Sequence, residues 1–116
     1  MNIEDVFVLN TPRTLIIITG IMIFIDILTG YLKAIKLRRI NSSISRDGYI
    51  KKVGWAIALL LGSVLDFILS TSLFLKGTAI VCIATEGMSI YENLGEIGVK
   101  LPFSKYFEKI KGDKNE

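Results

Sequence analysis

The 116-residue chain has no histidine, a single cysteine (Cys82) and two prolines, Pro12 and Pro102. An intrachain disulfide is therefore impossible, and the usual zinc-ligand sets cannot be assembled. There is no glycine-rich phosphate loop and no Ser/His or Cys/His pair. Enzymatic chemistry, a metal and a cofactor are accordingly not expected. Charge is scarce in a telling way. Three apolar blocks carry one acid each, Asp26, Asp66 or Glu86, and no lysine or arginine. The net charge of +3 is modest, so its placement says more than its size.

What is abundant is apolar length. The chain is 51% hydrophobic, and most of this sits in long blocks. Gly54–Leu75 (GWAIALLLGSVLDFILSTSLFL) has one charge and no proline. As a helix it would measure roughly 33 Å, the thickness of a bilayer's hydrocarbon core. It lacks the polar stripe of a soluble helix. A line of small or polar residues recurs at every fourth position instead: Gly54, Ala58, Gly62, Asp66, Ser70. Small residues at this spacing let helix backbones approach closely in lipid, which makes Gly54, Ala58 and Gly62 an expected helix-packing surface. Asp66, read as lying near mid-membrane, should face another helix or water.

In chain order, residues 1–10 (MNIEDVFVLN) lack the basic start and cleavage site of a signal peptide, so they are expected to be retained. Thr11-Pro12 has the form of a helix start, with Thr11 as N-cap and Pro12 in the first turn. The run Thr14–Leu32 reads as a first span. Asp26, Thr29, Gly30 and Lys33 share one face of it, and Thr19 lies further back along the same seam.

The connector 33–52 holds Lys33, Lys36, Arg38, Arg39, Arg46, Lys51 and Lys52 against Asp47 alone. Such a patch could bind nucleic acid, but between two apolar helices the positive-inside rule accounts for it, and no nucleic-acid partner is expected. Anionic lipid headgroups would suit it, at about 1 kcal/mol per basic residue near the surface. Asn41-Ser42-Ser43 and Asp47-Gly48 read as turns, with the first helix stopping near Arg39 or Ile40. Lys76-Gly77 reads as a tight turn. Beyond it Thr78, Cys82, Thr85, Glu86, Ser89 and Asn93 form a polar face opposite Ile80, Ile83, Ala84, Ile90 and Leu94. A re-entrant helix is the alternative here. A span is favoured, because it keeps the lysines from Lys100 onward on the same side as the basic connector. In the tail, Phe103, Tyr106, Phe107 and Ile110 make the apolar side of a short amphipathic helix, and the last residues read as disordered.

The expected architecture is thus an all-α integral membrane protein forming one domain over 1–116. Its three transmembrane helices lie at about 13–33, 54–75 and 77–99, joined by a basic cytoplasmic loop and followed by an amphipathic tail at 102–111. By the positive-inside rule the N-terminus lies outside and the C-terminus in the cytoplasm. With no intramembrane lysine or arginine, the three acids cannot be neutralised by salt bridges. They must be protonated, bonded to hydroxyls and backbone, or face water. Asp26, Thr29, Gly30, Asp66, Ser70, Thr85, Glu86, Ser89 and Asn93 are the candidate pore-lining residues. Three helices cannot hide three polar seams, so the lipid bilayer and further copies of the chain are the expected partners.

Asp26, Thr29, Gly30, Lys33 and Ala34, then Ser43, Gly48, Lys51 and Lys52, then Leu65-Asp66 make an ordered polar pattern. It continues in Glu86, Ser89-Ile90, Glu92-Asn93, Gly98 and Leu101-Pro102. Over roughly residues 22–107 this resembles the phage holin family that includes clostridial toxin-secretion holins. The resemblance implies a phage or prophage protein that oligomerises in the bacterial cytoplasmic membrane. There it would open lesions that release a cell-wall hydrolase (endolysin) or a toxin, with an antiholin as a further partner. Two other classes remain open on the residues alone: a small proton-coupled transporter, and a non-catalytic membrane adaptor subunit. Three spans with three acids fit the transporter poorly, and size-graded dye leakage separates a holin from both.

Overall fold

Thr11 starts the first helix as its side chain allows. Its Oγ1 accepts a hydrogen bond from the Thr14 amide at 3.3 Å, and Pro12 occupies the first turn, where no donor is missed. The computed structural model describes residues 11–38 and 42–115. It contains α1 (Pro12–Leu37), α2 (Ser42–Leu69), α3 (Leu73–Ile97) and α4 (Ser104–Asn115). The expected all-α class with three membrane-length helices and a short C-terminal helix is what is observed: α1, α2 from Arg46 on, and α3 are each long and apolar enough to cross a bilayer. Residues 1–10 and Arg39 lie outside the described residues, as does the side chain of Phe107.

The boundaries move in instructive ways. α1 ends at Leu37, where Arg38 takes a left-handed conformation (φ 54°) and closes the helix. Asp47-Gly48 is no turn: both residues sit inside α2, and Gly48 is tolerated at a cost of about 1 kcal/mol. The second helix therefore begins well before Gly54, and it stops at Leu69 instead of Leu75. The break lies at Ser70-Thr71-Ser72, with Ser70 at φ 54° and the Thr71 amide bonded back to Asp66 O at 3.0 Å. Lys76-Gly77, expected as the turn, is within α3. Three consecutive hydroxyl residues make a stronger stop than one lysine-glycine pair, because their side chains compete for backbone groups. α4 runs on through Asn115, where disorder was expected.

α3 is the central helix. Its main partner is α1, α2 packs on it less extensively, and α1 and α2 scarcely touch. Each helix turns one seam inward, in alternating steps of three and four residues. On α1 these are Leu15, Thr19, Met22, Asp26 and Thr29; on α3, Leu75, Ala79, Cys82, Glu86 and Asn93. On α2 the more covered residues run Lys52, Trp55, Leu59, Gly62 and Asp66, which shares only Gly62 and Asp66 with the every-fourth line expected. Among the described residues the buried hydrophobic side chains are Leu15, Leu75, Ala79 and Cys82. More numerous are the buried polar ones: Thr19, Asp26, Thr29, Asp66, Glu86 and Asn93. Large apolar side chains point outward, Phe67 at 87% exposure being the extreme. An apolar exterior around a polar interior suits lipid as the solvent. α4 joins the bundle through Tyr91, whose hydroxyl donates to Glu108 Oε1 at 3.3 Å, and leaves Phe103, Tyr106 and Ile110 exposed.

Candidate functional site: a polar junction of three helices

α1 brings Asp26 and Thr29 to the inner seam, and α3 brings Glu86, Ser89 and Asn93 to meet them. Asn93 Nδ2 donates to Asp26 Oδ1 and to Thr29 Oγ1, both at 3.1 Å. Ser89 lies on the same side of α3, one turn on from Glu86. Gly30 lies beside this cluster, and a Cβ there would make ordinary contact with Asn93 Nδ2 at 3.6 Å. Five of the sequence-derived candidates plus Gly30 thus converge at one place.

The cation they meet was not anticipated. Lys52, counted among the residues of the basic connector, sits on the inner face of α2. Its Nζ lies 2.9 Å from Asp26 Oδ2 and 3.4 Å from Glu86 Oε2, and its side chain is only 15% exposed. The inference that the acids have no basic partner is therefore wrong for two of the three. Lys52, Leu59 and Asp66 are spaced by seven residues, so all three face the same way. That register was the signal available in the sequence, hidden because a lysine beside Lys51 already had an explanation in topology. A buried ion pair is weak evidence of net stability, but removing one partner costs about 3–5 kcal/mol, since the other charge is left stranded.

Asp66 is elsewhere and is built differently. It accepts from the Phe74 amide through Oδ1 and from the Leu75 amide through Oδ2, both at 2.9 Å. Ser72, the N-cap residue of α3, makes no capping bond of its own. The carboxylate of the preceding helix replaces it, while Thr71 Oγ1 takes the Leu73 amide and Ser72 O takes the Lys76 amide. The Leu73, Phe74 and Leu75 amides that begin α3 are thereby satisfied, and the carboxylate sits at the positive end of the helix dipole. Asp66 is three residues from the end of α2, not at mid-helix, and it lines no shared polar seam with Asp26 and Glu86.

The remaining candidates separate in the same way. Ser70 is exposed in the left-handed turn after α2, not on a helix face. Thr85 is exposed, its hydroxyl bonded to Val81 O of its own helix at 2.8 Å. Gly62 is used inside the chain: a Cβ there would sit 3.3 Å from Leu75 N and from Phe74 C and O. Gly54 faces open space and Ala58 is half-buried. Lys36 also leaves the topological pool, because its Nζ donates to Ile97 O at the C-terminus of α3. There Gly98, at φ 103°, closes the helix in a conformation that glycine alone adopts freely. Lys33 is half-buried, and Arg38, Arg46 and Lys51 are exposed near the same end of the bundle.

A family model described as the bacteriophage holin family matches residues 6–112. The chain is 41% identical over 85 residues to the uncharacterized protein YqxH of Bacillus subtilis (strain 168), covering 72% of this chain and 61% of that protein. It is 38% identical over 79 residues to a probable holin of Bacillus phage phi105, covering 67% of this chain and 58% of the relative. An uncharacterized 14.9 kDa protein in the nagH 3' region of Clostridium perfringens is 36% identical over 93 residues, covering 78% and 67%. The chain spans about three-fifths of the length of the first two of these relatives. No solved structure matches. The family match extends over nearly all of α1 to α4, the polar junction included, and the chain belongs to the bacteriophage holin family.

Proposed function

We propose that the chain is a hole-forming membrane protein. It accumulates in the bacterial cytoplasmic membrane, assembles with further copies of itself, and opens lesions through which a cell-wall hydrolase or a toxin leaves the cytoplasm. The observation that carries this reading is the polar junction inside an apolar exterior. Asp26, Lys52, Glu86 and Asn93 are held away from lipid in one molecule, and in an assembly such a seam can face water. The basic residues that stay near the α1–α2 connection, Lys33, Arg38, Arg46 and Lys51, favour that end as cytoplasmic. The N-terminus then lies outside and the C-terminus, after α3, inside. An antiholin would act by joining the same assembly.

Liposomes containing the purified chain and dyes of graded size test the activity. The expected result is leakage with a size limit that rises with protein density. Leakage of protons or small ions alone would overturn the reading and favour a transporter. Single-cysteine variants at Asn2 and Asn115, in a Cys82→Ser background, test orientation in intact cells: only position 2 should react with an impermeant thiol reagent.

A further inference from the structure

The three helices are not held together equally. α1 and α3 form the broad contact, while α2 packs on α3 and scarcely touches α1. At its C-terminal end α2 is secured by Gly62 against the Phe74–Leu75 backbone and by the Asp66 carboxylate on the α3 amides. Four turns back towards its N-terminus, Lys52 spans the gap to α1 through Asp26 and ties to α3 through Glu86. One turn from Lys52, the Trp55 indole N–H is buried without a hydrogen-bond partner among the described residues, so this packing leaves a polar group unsatisfied.

We infer that Lys52 is a latch. Its ammonium, shared between Asp26 on α1 and Glu86 on α3, holds the N-terminal half of α2 against the α1–α3 pair. Its withdrawal lets α2 pivot about the Asp66-capped turn and bares the Asp26–Glu86–Asn93 seam. The inference rests on the hole-forming reading for its purpose, but not for its geometry. With the latch engaged, the two carboxylates have a cation and the seam is closed to lipid. With it withdrawn they have none, and a low-dielectric environment no longer tolerates them. The unlatched molecule must place that seam against water or another copy. The cost that keeps the closed form together is thus the same one that drives the open form to assemble.

The molecule contains its own reporter. Cys82, the single cysteine, is fully buried on α3 one turn from Glu86. In liposomes carrying the full chain, its reaction with a charged methanethiosulfonate reagent measures opening of this seam. The wild type should react slowly, and Lys52→Met at least tenfold faster. Lys51→Met removes the neighbouring exposed charge without touching the junction and should react at the wild-type rate. A wild-type rate in Lys52→Met overturns the latch. Should Lys52→Met not accumulate, the double charge swap Lys52→Glu with Glu86→Lys decides alone: protection of Cys82 supports the latch, and reaction at the rate of unfolded protein overturns it. Dye leakage is read separately and bears on hole formation only. A wild-type chain that never leaks dye overturns that function, while the Cys82 rates still decide the latch.

Discussion

Asp66 and Asp26 are the same side chain, each buried in an apolar helix, and they are satisfied by opposite means. Asp66 spends both carboxylate oxygens on backbone amides of the next helix. Asp26 spends its oxygens on side chains, the Asn93 amide and the Lys52 ammonium, drawn from two other helices. The first arrangement is local, linking residues eight and nine positions apart, and it sets where α3 begins. The second is long-range and joins three helices that can in principle be parted. An acid inside a membrane is a functional hypothesis by default, and here its partners decide whether the default holds. Backbone partners make Asp66 part of a turn. Side-chain partners make Asp26 part of a junction that can be remade.

The largest effect should come from breaking the local arrangement. Asp66→Leu leaves the Phe74 and Leu75 amides without acceptors, at about 1–3 kcal/mol for each buried donor. The α2–α3 hairpin should then fail to persist, and the chain should be cleared from the membrane or be cut at Ser70–Ser72 by added protease. Asp66→Asn keeps one strong acceptor and should lose roughly half as much. Asp26→Asn leaves Lys52 its bond to Glu86, so no charge is stranded, and it should accumulate better than Asp66→Leu. Immunoblots of membrane fractions at matched expression check the order. If Asp66→Leu accumulates as well as Asp26→Asn, the cap does not govern folding and the contrast between the two acids collapses.

This contrast also explains what could be read from the sequence. The α1 seam was legible because Asp26, Thr29, Gly30 and Lys33 fall on one face of an otherwise apolar run, and the polar face of α3 was legible for the same reason. Thr11-Pro12 gave the start of α1 through local chemistry alone. The second helix was misjudged at both ends. Hydropathy marks where a helix is apolar, not where its hydrogen bonds begin and end. The largely polar stretch Ser42–Lys52 continues the helix below the apolar one, and Leu73–Leu75 continue the apolar stretch past its end. Lys52 was missed because one residue answered two questions. Charge placement made it a topology determinant, and only its seven-residue register with Leu59 and Asp66 marks it as inward-facing.

The two ends of the small-residue line offer a second, smaller contrast. Gly62 lies against the backbone of α3, and a leucine there must displace Phe74 and Leu75. Overpacking of this kind costs about 1–3 kcal/mol, so Gly62→Leu should loosen the hairpin within each chain. Gly54 faces open space, and Gly54→Leu should leave the single chain unharmed. Any loss it causes must come from contacts between copies. Protease resistance of the dilute chain in detergent, set beside chemical cross-linking in membranes, separates the cases. Gly62→Leu should lower the first, and Gly54→Leu should leave the first intact. Equal loss of protease resistance in both variants would mean that Gly54 is covered within the chain after all.

The smallest effect expected is also the finest test of what makes a membrane hydroxyl matter. Thr29 and Thr85 each donate to a carbonyl one turn back, Thr29 to Ile25 O at 2.9 Å and Thr85 to Val81 O at 2.8 Å. Thr29 also reaches Asp26 O at 3.2 Å, and valine removes the donor from either position while keeping the shape. Only Thr29 also accepts, from Asn93 Nδ2 at 3.1 Å, in the buried junction. Thr29→Val therefore strips a partner from a buried amide, for about 1 kcal/mol. Asn93 keeps its bond to Asp26 Oδ1, which holds the loss to that order. Thr85→Val is exposed and strips nothing from a neighbour, so its effect should stay within about 0.5 kcal/mol. Unfolding of the purified variants in mixed detergent, followed by circular dichroism, should show a lowered midpoint for Thr29→Val alone. Equal midpoints would mean that the Asn93 amide finds another acceptor, and that the junction is held by its ion pairs and not by its hydroxyl.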